Sequence, residues 1–296
     1  LGKINMMMNR NSVESQVIEK KFSGWQGILE LDYQKIGNTT QLVKAYSQAP
    51  LKIQRSFYPE GQAICHSIIL HTAGGVVGGD RLSQTIHLQP ETQVLLTTPA
   101  ASKIYRSQGE IAYNNINIEL QKNAYLEFIP RESIIFNGAK ISQNLRVDLA
   151  ESACYLGWEI TRFGRTARGE TFTQGEWKSC TEIWQNQRPI WIDRQGFTAS
   201  EDLLNSPHGL GGKPVIASLI WVGQSVSEDA VKQIRQLWEQ RETSSQAGVT
   251  QLISGLLCRY RGNSTQEVID WFTEVWRFLR QNYIGQLGAK PRVWQL

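Results

Sequence analysis

HTAGGVVGGDRLSQTIHL, residues 71–88, joins two patterns in one stretch. Its second half alternates: Leu82, Gln84, Ile86 and Leu88 share one face, and Ser83, Thr85 and His87 the other. Period two over a short segment marks a half-buried strand. In the first half Gly74, Gly75, Gly78 and Gly79 flank Val76-Val77 and run into Asp80-Arg81. Glycine serves where the backbone takes positive φ or another chain comes close. The stretch therefore reads as a strand entered from a backbone of special path, with a carboxylate at the junction.

Working outward, the same alternation returns. Ile116, Ile118 and Leu120 alternate with Asn115, Asn117 and Glu119, and Leu145, Val147 and Leu149 with Arg146 and Asp148. Many such segments in series, from Ser23 to about Trp221, predict a mainly β chain. The expected body, residues 23–222, is large and multi-stranded, with helical or sandwich-like sheets. Trp158, Trp177, Trp184 and Trp191 recur along it as core or groove lining. The character changes after Val222. Ser227 reads as the N-cap of a helix over Ser227–Arg241, and Ser264 with Glu267 as a capping box opening a helix over Thr265–Gln281. A strand is expected at Val249–Tyr260 between them, packed on Trp238, Phe272 and Trp276, with Asn205–Gly212 as a linker. Residues 223–296 thus form a small α+β part with two helices, packed on the β body. Residues 1–22 read as a poorly ordered extension, and the run Met6-Met7-Met8 suggests a start there.

Composition narrows the function class. In 296 residues, 20% are charged and 41% hydrophobic, the balance of a soluble globular protein. The net charge of +4 comes with no Lys/Arg cluster along the sequence, so no nucleic-acid footprint is expected. A mildly basic surface favours acidic protein partners, and equally serves solubility alone. Cys65, Cys154, Cys180 and Cys258 lie far apart with no C-x-x-C, which fits reduced core cysteines in a cytoplasmic protein. No apolar run is long enough to span a bilayer and no leader is read, so no membrane association is expected.

Catalytic motifs are missing. Gly74 and Gly79 have phosphate-loop spacing, but Asp80 and Arg81 stand where Lys and Ser or Thr belong, and a carboxylate there repels phosphate. There is no G-x-S-x-G and no His pair at helical ligand spacing, so no catalytic residue and no strong zinc site is assigned. The carboxylates Glu60, Asp80, Glu127, Glu132, Glu159, Glu170 and Glu176 are more suggestive. Each either pairs with an arginine such as Arg106, Arg131, Arg162, Arg165 or Arg168, or joins the others in lining a polar passage. Such a passage would bind a divalent metal weakly, which suits transit. A hydrolase using a carboxylate cluster is the competing reading.

Six ordered blocks carry a family resemblance: YPEG (58–61), HTAGGVVGGD (71–80), LLTTPAASKIYRS (95–107), LEFIPRESIIFNGA (126–139), GRTARGE (164–170) and PRVW (291–294). In this the chain resembles the urease accessory protein UreD family, called UreH in some bacteria, although Thr40-Gln41-Leu42 replaces that family's early Thr-Arg-Leu. The resemblance implies a similar β architecture and a non-enzymatic scaffold that bridges apo-urease and UreF, with the GTPase UreG beyond. It implies nickel in transit through an internal tunnel, with no tightly bound cofactor. Carried residue by residue, it marks Asp80, Glu127, Glu132 and Glu170 as conduit candidates. Gly74, Gly75, Gly78, Gly79, Thr98, Tyr105 and Arg106 are marked as a structural or docking loop.

Overall fold

Alternation along each strand becomes alternation between two sheets along the chain. The computed structural model describes residues 24–294, so the expected extension and start lie outside the described residues. Strand β1 (Gln26–Ile36) turns into β2 (Thr39–Gln48) in the first sheet, and β3 (Leu51–Ile53) and β4 (Ile64–His71) lie in the second. From there the chain coils. It places β5 (Arg81–Leu88) in the first sheet and β6 (Gln93–Thr97) in the second. After a short β7 (Ser102–Ile104) come β8 (Ala112–Leu120) in the first and β9 (Tyr125–Phe128) in the second. After a short β10 (Ser133–Ile135) come β11 (Lys140–Leu149) and β12 (Cys154–Phe163), then β13 (Glu176–Gln185) in the first sheet again.

Each turn of the coil adds a parallel strand to each sheet. The first sheet grows as β1–β5–β8–β11–β13, the second as β4–β6–β9–β12. The corner strands β7, β10 and the end of β12 pair in parallel beside them. Antiparallel strands finish both sheets. β2 and β14 (Arg188–Thr198) bound the first. β15 (Val215–Val222), β16 (Gln246–Leu252) and β17 (Gly255–Gly262) extend the second. The expected β body is thus a two-sheet coil, and the strands of the C-terminal part continue one of its sheets.

Parallel pairing sets residues of one parity above one another. Leu31, Ile86, Ile118, Val147 and Ile183 form an unbroken row across the first sheet, all buried. Cys65, Val94, Leu126 and Tyr155 form a row in the second and belong to the same core. Fully burying such aliphatics contributes roughly 1.5–3 kcal/mol each. The outer face of the first sheet is mostly polar, which is why its strands alternate. The outer face of the second is covered by helices, so β6, β9 and β12 are nearly continuously apolar.

A short α1 (Glu201–Asn205) precedes the covering helices, α2 (Glu228–Glu239) and α3 (Thr265–Leu279), which lie within the ranges expected. The Ser227 and Ser264 hydroxyls accept from the Ala230 and Glu267 amides, each at 3.2 Å. Only half of the capping box forms, because Glu267 accepts from the Tyr260 hydroxyl at 2.7 Å instead of reaching back. Helix α3 buries Val268, Phe272, Val275, Trp276 and Leu279, then widens into a π-helical turn, Arg280–Ile284. The strand expected over Val249–Tyr260 is instead the β16–β17 hairpin, turning at Ile253-Ser254. Trp238 does pack on its Tyr260, with centroids 5.7 Å apart. Phe272 packs on Trp158, and Trp276 reaches β9. Nor does the Asn205–Gly212 segment hang free: Arg261 donates to the carbonyls of Pro207 (2.8 Å) and Gly209 (2.6 Å).

The aliphatic row gives a direct test. Ile118→Ala should lower unfolding free energy by about 3 kcal/mol through lost burial and a residual cavity. Asn117→Ala, on the exposed face, should stay within about 0.5 kcal/mol. Urea unfolding of the purified chain measures both.

Candidate functional site

Near the glycine-rich corner the apolar filling between the sheets gives way to a cavity of about 560 Å3. Its polar lining comes from inward positions that are aliphatic further along the same strands. Gln84 precedes Ile86, and Asn114 precedes Ile116 and Ile118. Register places Asn114, Gln143, Ser179 and Gln195 in one row across β8, β11, β13 and β14. The row therefore runs along the axis of the coil. Gln84 donates to Asn114 at 3.2 Å, and Trp177 Nε1 to Gln143 at 3.3 Å.

One carboxylate lines the cavity among the described residues: Glu159, on β12. The Ser179 hydroxyl lies 2.9 Å from both of its oxygens. Beyond it, on adjacent strands, Arg259 donates to Ser218 (3.1 Å) and pairs with Asp193 (2.8 Å). Burial pushes the Glu159 carboxyl up to about 6; the Ser179 hydrogen bond pulls against this, and Asp193 adds to it. A carboxyl so placed exchanges its proton near physiological pH.

The four conduit candidates lie elsewhere, each with its own surroundings. Asp80 is buried, and its two oxygens accept from the Trp25 amide (2.8 Å) and the Val77 amide (2.9 Å). Its own carboxylate thus takes up amides at this loop, the kind of donor with which a phosphate loop holds its anion. Glu127 points out of the second sheet against α3. There it accepts from the Tyr125 hydroxyl and Trp276 Nε1, both at 2.6 Å, and lies 3.3 Å from Arg280 Nε. Arg280, itself fully buried, also pairs with Glu60 at 2.8 Å, and Glu60 with His66 at 2.7 Å. Burial raises the Glu127 carboxyl despite Arg280, Tyr125 and Trp276. Burial also works against the Glu60 charge, but His66 and Arg280 outweigh it and hold that carboxyl below its ordinary range. Glu170 is clasped by the Arg165 guanidinium and by the Asn137 amide (3.1 Å), and Arg165 foremost lowers its carboxyl. Glu132 faces Arg131 at 3.5 Å, and of the four it alone has cavity-lining residues on both sides, Arg131 and Ser133. No group of three or more His, Cys, Asp or Glu among the described residues is disposed to hold a metal ion.

The loop residues are brought together. The Val76 amide donates to the Lys103 carbonyl and the Tyr105 amide to the Val76 carbonyl, both at 2.8 Å. The Tyr105 hydroxyl reaches the Gly74 carbonyl at 3.0 Å, and its ring meets Phe136 edge-on at 4.9 Å. A Cβ on Gly78 would lie 2.2 Å from the Ser107 hydroxyl, and one on Gly138 would strike the Arg106 side chain at 2.9 Å. Gly79 has φ +91°, which L side chains rarely adopt. Thr98 accepts from the Arg131 amide at 2.8 Å. Sequence reasoning proposed arginine partners and found Arg165 and Arg131, but it missed Arg280 at the end of α3. It also missed the amide row, whose signal was polar residues at inward-facing strand positions.

Two measurements probe these arrangements. Glu159 has a raised folded pKa, so its contribution to stability is full below 4.5 and falls as pH rises through about 6. Glu159→Gln should remove that dependence, worth up to about 2 kcal/mol, in unfolding followed between these pH values. Arg280→Ala strands Glu60 and Glu127 and should cost about 3–5 kcal/mol, read as a lowered urea midpoint.

The model of the UreD urease accessory protein family matches residues 26–295. The chain is 55% identical to the urease accessory protein UreD of Nostoc punctiforme, over 95% of this chain and 99% of that one. It is 49% identical to the same protein of Acaryochloris marina (95% and 100%) and 45% to that of Picosynechococcus (95% and 98%). The chain belongs to the UreD urease accessory protein family.

Proposed function

We propose that this chain is a non-catalytic maturation factor for urease that bridges apo-urease and UreF, with UreG beyond, and passes nickel through its interior. The observation that carries the reading is the match along nearly the whole chain to proteins named urease accessory protein. A polar row inside an otherwise apolar coil supports the route. Amide oxygens, one hydroxyl and one carboxylate bind a divalent cation weakly, which suits passage over storage. In this reading Glu159 attracts the cation inside and Glu132 does so at the rim, with no tightly bound cofactor. Asp80, Glu127 and Glu170 serve the passage by holding its walls: the glycine loop, helix α3 and the Gly164–Glu170 corner. No helix among the described residues is long and apolar enough to cross a membrane, and we place the protein in the cytoplasm. A hydrolase would need carboxylates that converge, whereas these are separately engaged.

The test is co-purification with UreF and apo-urease, beside urease activation at limiting nickel. Wild-type chain should capture both partners. Glu159→Gln with Glu132→Gln should leave the complex intact and lower activation several-fold, because amides keep the shape and remove the charge. Glu127→Gln and Glu170→Gln should act through yield of folded protein. Failure of the wild type to capture either partner would sink the scaffold role. Full activation by the Glu159/Glu132 double variant would end the route through the cavity.

A further inference from the structure

Three arginines, Arg162, Arg165 and Arg168, fall within seven residues, and the coil brings Lys103 and Arg106 to the same edge. Strands β7, β10 and β12 set Lys103, Ile134 and Arg162 side by side. Arg106 lies across Gly138 one corner away, and the Arg165 guanidinium sits 4.4 Å over the Phe136 ring. Arg168 is exposed on the short 3-10 turn Thr166–Arg168 that follows. Of the acidic residues here, Glu170 is turned to Arg165 and Glu132 to Arg131, while Glu110 stands exposed beyond Ser107. Among the described residues, Lys103, Arg106 and Arg168 have no carboxylate partner, and Arg162 donates to neutral oxygens of Thr166 and Asn263. This edge borders the cavity, whose exposed lining residues Gly74, Pro99, Ala100, Ser102 and Lys103 mark its mouth.

Until they are neutralised, Lys103, Arg106, Arg162 and Arg168 outweigh the rim's Glu132, itself turned to Arg131, and repel a divalent cation; within about 8 Å salt screens little of that repulsion. The rim attracts carboxylates. Bases would find no stacking platform, because Phe136 is already covered by Arg165 and Tyr105. Val77, 40% exposed on the adjoining loop, offers an apolar contact that suits a polypeptide.

We infer that the edge formed by Lys103, Arg106, Arg162, Arg165 and Arg168 is a docking site for an acidic segment of a protein partner, whose carboxylates neutralise the mouth of the cavity. The inference rests on the maturation reading for its consequence: metal is handed over only while the partner is seated, and free cation in solution is turned away.

The experiment uses the full chain and a charge-reversed variant, Lys103→Glu with Arg106→Glu and Arg168→Glu. All three side chains are exposed, so an unchanged thermal melt should verify the fold. The probes are a fluorescent peptide alternating Glu with Gly and an oligothymidylate of equal charge. The peptide should bind the wild type, weaken as salt rises, and lose at least about ten-fold in affinity with the variant. The variant should likewise lose capture of UreF or of apo-urease. Equal peptide binding by both chains overturns the inference, as does tighter, reversal-sensitive binding of the oligothymidylate, which assigns the edge to nucleic acid. If the fold is lost, single Arg168→Glu and Lys103→Glu variants serve in the same titration. Wild-type capture of the urease partners on the same preparations keeps the two readings apart. Capture that persists unchanged in the variant removes the docking edge and leaves the scaffold.

Discussion

Everything in this molecule depends on in-register parallel stacking. Once β5 lies beside β1 with Ile86 against Leu31, parity is fixed for the rungs that follow, and a one-residue slip would turn Ile118 and Val147 outward. The same constraint aligns the polar row, since register sets Asn114, Gln143, Ser179 and Gln195 beside one another in successive rungs. Core and cavity are therefore two segments of one stacking rule. The coil is filled where the row is aliphatic and hollow where it is amide.

The second dependence is electrostatic. The outer face of the second sheet is largely apolar but carries Glu127 in one row with His66, and α3 can cover it only by answering the glutamate charge. Arg280 supplies the answer, with Glu60 and His66 completing the network and Trp276 and Tyr125 satisfying the remaining lone pairs. Buried pairs of this kind contribute less to net stability than to the choice of one arrangement over others, since desolvation offsets much of their attraction. Here the arrangement chosen is the seat of the C-terminal helix. The PRVW block adds a second fastening, with Trp294 donating to Thr97 at 3.0 Å and lying 5.6 Å from Trp158.

Much of the fold was legible because the outer face of the first sheet is polar: β5, β8 and β11 display their period openly. The second sheet was harder, since β9 and β12 are apolar on both faces and period vanishes there. The split of Val249–Tyr260 into a hairpin was hidden by a turn carrying the fully exposed Ile253. The carboxylates could be listed from sequence but not sorted. Asp80 reads like a ligand until the Trp25 and Val77 amides are seen on its oxygens, and Glu159 reads like any strand glutamate until Ser179 faces it. Sorting them needed partners far away in the chain, such as Arg280 for Glu127.

The amide row has one more implication. A glutamine or asparagine side chain can turn either its oxygen or its NH2 toward a guest. A wall of Gln84, Asn114 and Gln143 is thus amphoteric: it solvates cation and anion alike and shows no preference of sign. The charge of this inner wall then rests on a single proton at Glu159, while Arg131 and Lys103 charge the lining toward the mouth. With that proton off, the inner wall offers a cation one negative charge; with it on, only neutral amides and hydroxyls face the guest there. Acidity in the mild range therefore sets the ionic character of that inner wall through one side chain.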